Sequence, residues 1–315
     1  MQELDYQTII YAVIPVYLTM VAGAGARRFG ILPPESDAGL MRVAVNLLFP
    51  CLIIERIVGN EAVMNPLRVA GAAGLGFALV AVGIFAAYYV APLIGLRVGQ
   101  GRRAFGVSVG IQNYGFVAIP VLTALFPGKE TLGVMFTFTL GVELAVWLLG
   151  VGMLTGVNRS TWKAAINGPV ITIISALTLN FLGLGSIIPG PVHTLLNNLG
   201  NCSVPLSVLL IGATIHDLLG KERFSWPVAI GSAVLRLVVL PFTFIACAAL
   251  LPLTLELKRV LIVQGAMPSA VFAIVLTRMY GGHTVTAIQV IVATTVASLL
   301  ATPWLIASGV KWLGL

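Results

Sequence analysis

QNYGFVAIP, residues 112–120, and QGAMPS, residues 264–269, each interrupt a stretch that otherwise reads as a membrane-spanning helix. Pro120 and Pro268 each remove a backbone donor and crowd the carbonyl four residues back, which leaves N–H and C=O groups without helical partners. Roughly 12 residues at 1.5 Å each place Asn113 about 18 Å from the end of its span, near the centre of the bilayer. Broken backbone at that depth persists only where it is buried in protein or lines a watery cavity. Paired interruptions at corresponding places in two halves of a chain point to the binding site of a carrier. A plain proline kink healed by neighbouring helices is the alternative.

The halves are marked by further matches. Pro15 is answered by Pro169 at an offset of 154, Asn46-x3-Pro50 by Asn201-x3-Pro205 at 155, and Arg102-Arg103 by Lys258-Arg259 at 156. With 58% hydrophobic and 9% charged residues over 315 positions, against about 25% charged in a soluble globule, the chain is an integral membrane protein. Apolar runs predict ten spans, at 7–27, 38–57, 67–92, 101–126, 130–153, 163–183, 192–218, 225–251, 257–280 and 284–312. The expected fold is therefore all-α, with ten transmembrane helices in two repeats, 1–157 and 158–315, and interruptions in spans four and nine. Five is odd, so the second repeat crosses in the opposite sense to the first.

Of the Lys and Arg residues beside connectors, eleven fall at odd connectors and six on the opposite side, which puts the odd connectors in the cytoplasm and both termini outside, in a cell (inner) membrane. The segment 1–5 carries two acids and no base, unlike a signal peptide. A net charge of +7 is spread over short connectors rather than gathered on one face with aromatics, so lipid headgroups rather than nucleic acid are the expected partner. Cys51, Cys202 and Cys247 lie in apolar runs without ligand or disulfide spacing and read as buried small hydrophobes. His193, His216 and His283 sit near connectors and read as surface residues. No metal or cofactor is expected.

Asn113, Gln112 and Ser269 offer hydrogen-bonding groups at the interruptions, and half-helix N-termini beside them add partial positive charge suited to a carboxylate. Such amides also serve as glue between helices, worth about 1 kcal/mol. Glu143 and Arg236 are ionisable groups deep inside spans five and eight, at nearly matched heights. A charge at that depth implies function or pairing. Either Glu143 carries a proton, or the two form a static bridge. Asn46 and Asn201 either line the path or pack helices.

The strings NLLFP (46–50), NYGFVAIP (113–120), VPLSVLLIGATI (204–215) and MPSAV (267–271) resemble the auxin efflux carrier family, and the resemblance runs through TPW at 302–304. It implies a fold similar to bile-acid symporters and sodium/proton antiporters. Helices 1, 2, 6 and 7 would form a scaffold that often dimerises, and helices 3–5 and 8–10 an elevator-like transport domain. Substrate would bind at the crossing, at Gln112, Asn113, Tyr114, Gly115 and Pro120 with Gln264, Met267, Pro268 and Ser269. Plant members export the auxin anion and bacterial members are linked to malonate or malate. Two features depart from the plant pattern. About eight residues, Thr155 to Trp162, join the halves in place of a long loop, and Tyr114-Gly115 replaces the family's Thr-Gly.

Rival functions fare less well. Gly106-Val107-Ser108-Val109-Gly110 matches a G-x-S-x-G nucleophile string but lies in an apolar helix without His and acid partners, so Gly106 and Gly110 read as a helix-packing face. Metalloprotease spacing is absent. A ligand sensor without transport and a sodium-coupled symporter of the bile-acid type, with Gln112, Gln264 and Glu143 near the ion, are the remaining alternatives. The expected function is a secondary or facilitative carrier of a small mono- or dicarboxylate, coupled to protons or sodium or to neither.

Overall fold

The computed structural model describes residues 5–156, 165–219 and 225–315, and among them the secondary structure is helical apart from one isolated bridge. Seven helices are long and apolar enough to cross a membrane: α1 (Tyr6–Arg28), α2 (Pro34–Ile57), α3 (Pro66–Ile94), α6 (Lys129–Thr155), α8 (Gly190–Leu218), α9 (Trp226–Leu250) and α12 (Thr284–Leu313). A shorter apolar helix, α7, covers Gly168–Phe181. Two further segments are split, one into α4 (Arg102–Gly110) and α5 (Ala118–Leu125), the other into α10 (Leu255–Ala266) and α11 (Phe272–Met279).

Local chemistry explains where these elements begin and bend. Asn65 caps α3 by accepting the amides of Leu67 and Arg68, and Pro66 occupies the first helical position, where its missing N–H costs nothing. The sixth span was expected at 163–183 and is shorter. Asn167 caps it by accepting the Val170 amide with Pro169 behind, and Gly183, at φ +69°, ends it. Wide π turns occur at Ala44–Leu48 and Leu235–Val239, just ahead of Pro50 and Pro241, where each proline withdraws one helical hydrogen bond. A third, Val146–Gly150, has no proline nearby and contains Trp147.

Backbones meet where only glycine fits. A Cβ on Gly212 of α8 or Gly23 of α1 would overlap the carbonyl of Met20 or Leu209, so α1 and α8 lie backbone to backbone. Gly200 joins α8 to α2 at Leu52 in the same way. In a second group, Gly141 of α6 would strike the Ala73 carbonyl of α3, and Gly110 of α4 would strike the Ile84 amide of α3. Gly106 and Gly110 thus form a packing face, with Ser108 buried between them. α1 packs on α8 and α2 on both α7 and α8; α3, α4 and α6 pack together, as do α9, α10 and α12, while α1 also meets α12 and α2 meets α6.

Large apolar side chains such as Leu18, Leu67, Tyr89, Leu250 and Leu300 point outward, which suits a lipid solvent. Cys51 is buried, whereas Cys202 is exposed on α8 and Cys247 half-buried, so the expectation that all three cysteines are buried fails. A small apolar side chain carries no penalty on a surface that lipid wets. Of the bases assigned to the odd connectors, Arg159, Lys163, Lys221 and Arg223 lie outside the described residues, as does most of the connector Thr155 to Trp162.

Candidate functional site

The two interruptions are stitched to each other. Residues 111–113 and 268–270 run antiparallel, with Gln112 and Ser269 as a bridge pair. The Asn113 amide donates to the Pro268 carbonyl at 2.7 Å, and the Ala270 amide donates to the Ile111 carbonyl at 2.9 Å. Backbone groups that leave the helices at these points therefore find partners in the other half of the chain, as a low-dielectric interior demands. Asn113 Oδ1 accepts the Val117 amide at 3.3 Å in the turn just ahead of α5.

A cavity of about 380 Å³ opens on one side of this junction. Its polar groups are Asn46 of α2, Asn113, Tyr114 and Gly115 of the first interruption, Thr139 and Glu143 of α6, and Asn167 at the head of α7. Ala270, Val271 and Phe272 enter from the second interruption. Most of the remaining wall is apolar and aromatic, from Phe49, Phe116, Phe136, Trp147 and Ile173. The N-termini of α5 and α11 both begin beside it, so their partial positive charge falls on the cavity. A larger groove, about 710 Å³ between α3, α6 and residues 251–257, shares no residue with the interruptions.

Glu143 is 7% exposed, and three donors converge on its carboxyl group. The Tyr114 hydroxyl donates to Oε1 at 2.7 Å, while Trp147 Nε1 and Asn167 Nδ2 donate to Oε2 at 3.0 and 3.3 Å. Trp147 stands edge-on to Phe272, with centroids 5.8 Å apart, which ties this cluster to α11.

The other candidates named from sequence are placed differently. The Glu143–Arg236 bridge does not form. Arg236, fully buried in α9, donates instead to the carbonyls of Met267, Gln264 and Gly265. Gln112, Gln264, Met267, Pro268 and Ser269 are buried behind the junction rather than on the cavity wall, and Pro120 lies within α5 beside the lining residue Ile119. Gln264 Nε2 donates to the Tyr114 carbonyl at 3.0 Å and the Ser269 amide to Thr294 Oγ1 at 3.3 Å, so both act within the junction. Asn46 lines the cavity, but its counterpart Asn201 is remote from it, exposed and in contact with Arg56 and Asn197. Asn167 and Trp147 were not singled out from sequence. Their only signals were a cap residue ahead of Gly168-Pro169 and a position one turn after Glu143.

Among the described residues no group of acids, histidines and cysteines has metal-holding geometry. The chain is 27% identical over 279 residues to an uncharacterized transporter of Methanocaldococcus jannaschii, covering 85% of this chain and 88% of that protein. It is 24% identical over 275 residues to an uncharacterized transporter of Methanothermobacter thermautotrophicus, covering 84% and 86%. The family model described as "Membrane transport protein" matches twice, at residues 8–161 and 153–306. With helices that cross a membrane, a junction of interrupted segments and two family matches spanning nearly the whole sequence, this chain belongs to the membrane transport protein family, that of the auxin efflux carriers, and is a membrane transporter.

Proposed function

We propose that the chain is a secondary carrier of a small amphipathic organic anion, taken up in the cavity beside Asn113 and accompanied by one proton on Glu143. The observation that carries this reading is a cavity at paired helix interruptions whose single wall carboxyl group, that of Glu143, is satisfied by three donors. The amides of Asn113 and Asn46 and the two half-helix N-termini offer donors for a carboxylate, and the aromatic wall suits an apolar body. That balance favours a monocarboxylate with a hydrophobic group over malonate or malate. An ionised Glu143 repels the anion in so small a space, so a proton and the anion enter together. Sodium coupling of the bile-acid type and a sensor that binds without transport are the competing readings.

In this reading the seven long helices, α7 and the two interrupted segments make ten crossings. They form two inverted five-span repeats, 1–157 and 158–315, with both termini outside the cytoplasm of a cell (inner) membrane. The set α1, α2, α7 and α8 is the scaffold, and its outward apolar faces meet lipid or a second copy in a homodimer. The set carrying the junction shifts across it, and the cavity lies where the two sets meet, with α2 and α7 on one wall and α6, α11 and the junction on the other. Elevator-type alternating access follows from that boundary.

The test is counterflow in proteoliposomes with labelled indole acids, benzoate, malonate and malate. Saturable exchange of an aromatic acid, accelerated when the trans side is acidic, is expected. Tight binding without flux would make the protein a sensor, and strict sodium dependence would make it a symporter of the bile-acid type.

A further inference from the structure

Arg236 is the one fully buried cation among the described residues, with 0% exposure. No carboxylate lies within ion-pair distance of it there, and its nearest aromatic face is Phe244, 5.7 Å from Cζ. Its partners are peptide carbonyls only. Nε donates to Met267 O at 2.9 Å, and Nη2 to Gln264 O and Gly265 O, each at 3.2 Å. The remaining carbonyl of that turn, Ala266 O, accepts the Thr302 hydroxyl at 2.8 Å. These four carbonyls are where α10 stops, so they form the negative end of a half-helix, and of the four only Gln264 O also accepts a backbone amide, that of Met267 at 3.3 Å.

Unwound carbonyls and half-helix C-termini at a membrane interruption are the groups that hold a coupling cation in ion-driven carriers. Here a covalently attached cation already sits on them. The other half of the chain has no such group. The stretch about 155 residues before Arg236 is Ala81-Val82-Gly83, and Gly83 lies so close to Gly110 that even a Cβ is tight against it. One interruption is closed by glycine contact, the other by a charge.

We propose that the Arg236 guanidinium is a tethered substitute for a coupling metal ion: it fills the carbonyl cage at the end of α10 permanently, so the junction stays assembled and positive without sodium. Arg236 is thus a positioning residue for the second interruption. Its fixed charge, of which the half-helix end cancels about half, also adds to the pull on an anion. The transport part rests on the carrier reading above, but the cage itself is testable without any substrate.

The experiment compares purified wild-type protein with Arg236→Ala and Arg236→Gln by thermal unfolding in choline chloride. Sodium chloride or millimolar methylguanidinium is then added, and anion flux is measured in parallel. Wild-type melting temperature and flux are expected to be the same in choline and sodium. Arg236→Ala is expected to melt several degrees lower in choline and to recover at least half of that loss with methylguanidinium or sodium. Arg236→Gln keeps a donor near the carbonyls without the charge and is expected to lose flux at least tenfold in choline. Wild-type flux or stability that depends on sodium would overturn the proposal. So would an Arg236→Ala protein that no small cation restores, or an Arg236→Gln protein that transports fully in choline. If no acid is transported by any form, the carrier reading fails while the melting comparison still decides the cage.

Discussion

Replacing Glu143 by Gln isolates charge from shape. The amide oxygen can take the place of Oε2 and keep the Trp147 and Asn167 donors, while the amide nitrogen donates to a reversed Tyr114 hydroxyl. The cavity wall is then nearly unchanged. In the wild type, a carboxylate held in about 380 Å³ lies roughly 6 Å from Glu143, which at an effective dielectric of about 20 gives about 3 kcal/mol of repulsion. That is about two decades in affinity. A ligand that repels the ionised form favours the protonated form, so anion affinity is highest at low pH and falls as pH rises through the titration of Glu143. The expected fall in the wild type is up to about 100-fold from end to end. Glu143→Gln should bind at the tight end at every pH. The assay is equilibrium binding of the best labelled acid to purified protein across pH 5 to 9, beside flux driven by an imposed pH gradient. A wild-type affinity flat in pH, or the same slope in Glu143→Gln, would refute the shared-proton reasoning.

Other perturbations test neighbouring parts of the same structure. Asn113→Ala removes a cavity donor and the acceptor of the Val117 amide, and should cut flux at least tenfold while costing about 1 kcal/mol of stability, read from flux and melting temperature together. Trp147→Ala deletes the aromatic wall and its contacts to Phe272 and Tyr280, so competition assays should show a shift toward bulkier acids with weaker binding of small ones. Tyr114→Thr should widen the cavity and remove a donor from Glu143, moving the pH dependence of binding while preserving the fold. Gly141→Val forces α3 and α6 apart at the Ala73 carbonyl and should cost about 3 kcal/mol or more, seen as loss of a monodisperse peak in size-exclusion chromatography.

The interruptions were legible because amides and proline inside an apolar run contradict a continuous helix, and Asn113 followed directly. Which neighbours face the cavity was not. In the short extended segments successive side chains alternate sides, so Asn113 on the wall turns Gln112 away, and Ala270 on the wall turns Ser269 away. Counting residues gave Glu143 and Arg236 similar depths, but depth fixes height and leaves direction around the helix open. Arg236 consequently found carbonyls rather than a carboxylate. Asn167 was invisible for a related reason. As a helix cap after a connector it resembles any turn residue, and only the fold carries its second amide atom to Glu143. Asn46 and Asn201 occupy equivalent sequence positions, yet one borders the cavity and the other does not, because proline spacing constrains the helix bend and says little about its neighbours.

The bond from the Asn113 amide to the Pro268 carbonyl spans nearly half the polypeptide. During biogenesis the earlier segment must wait at the translocon with raw peptide groups until residues 268–270 emerge. A chain cut short before that point carries an unmatched polar seam in hydrocarbon, which marks it for quality-control proteases. The binding site of this protein is thus closed only once both halves of the chain have been made.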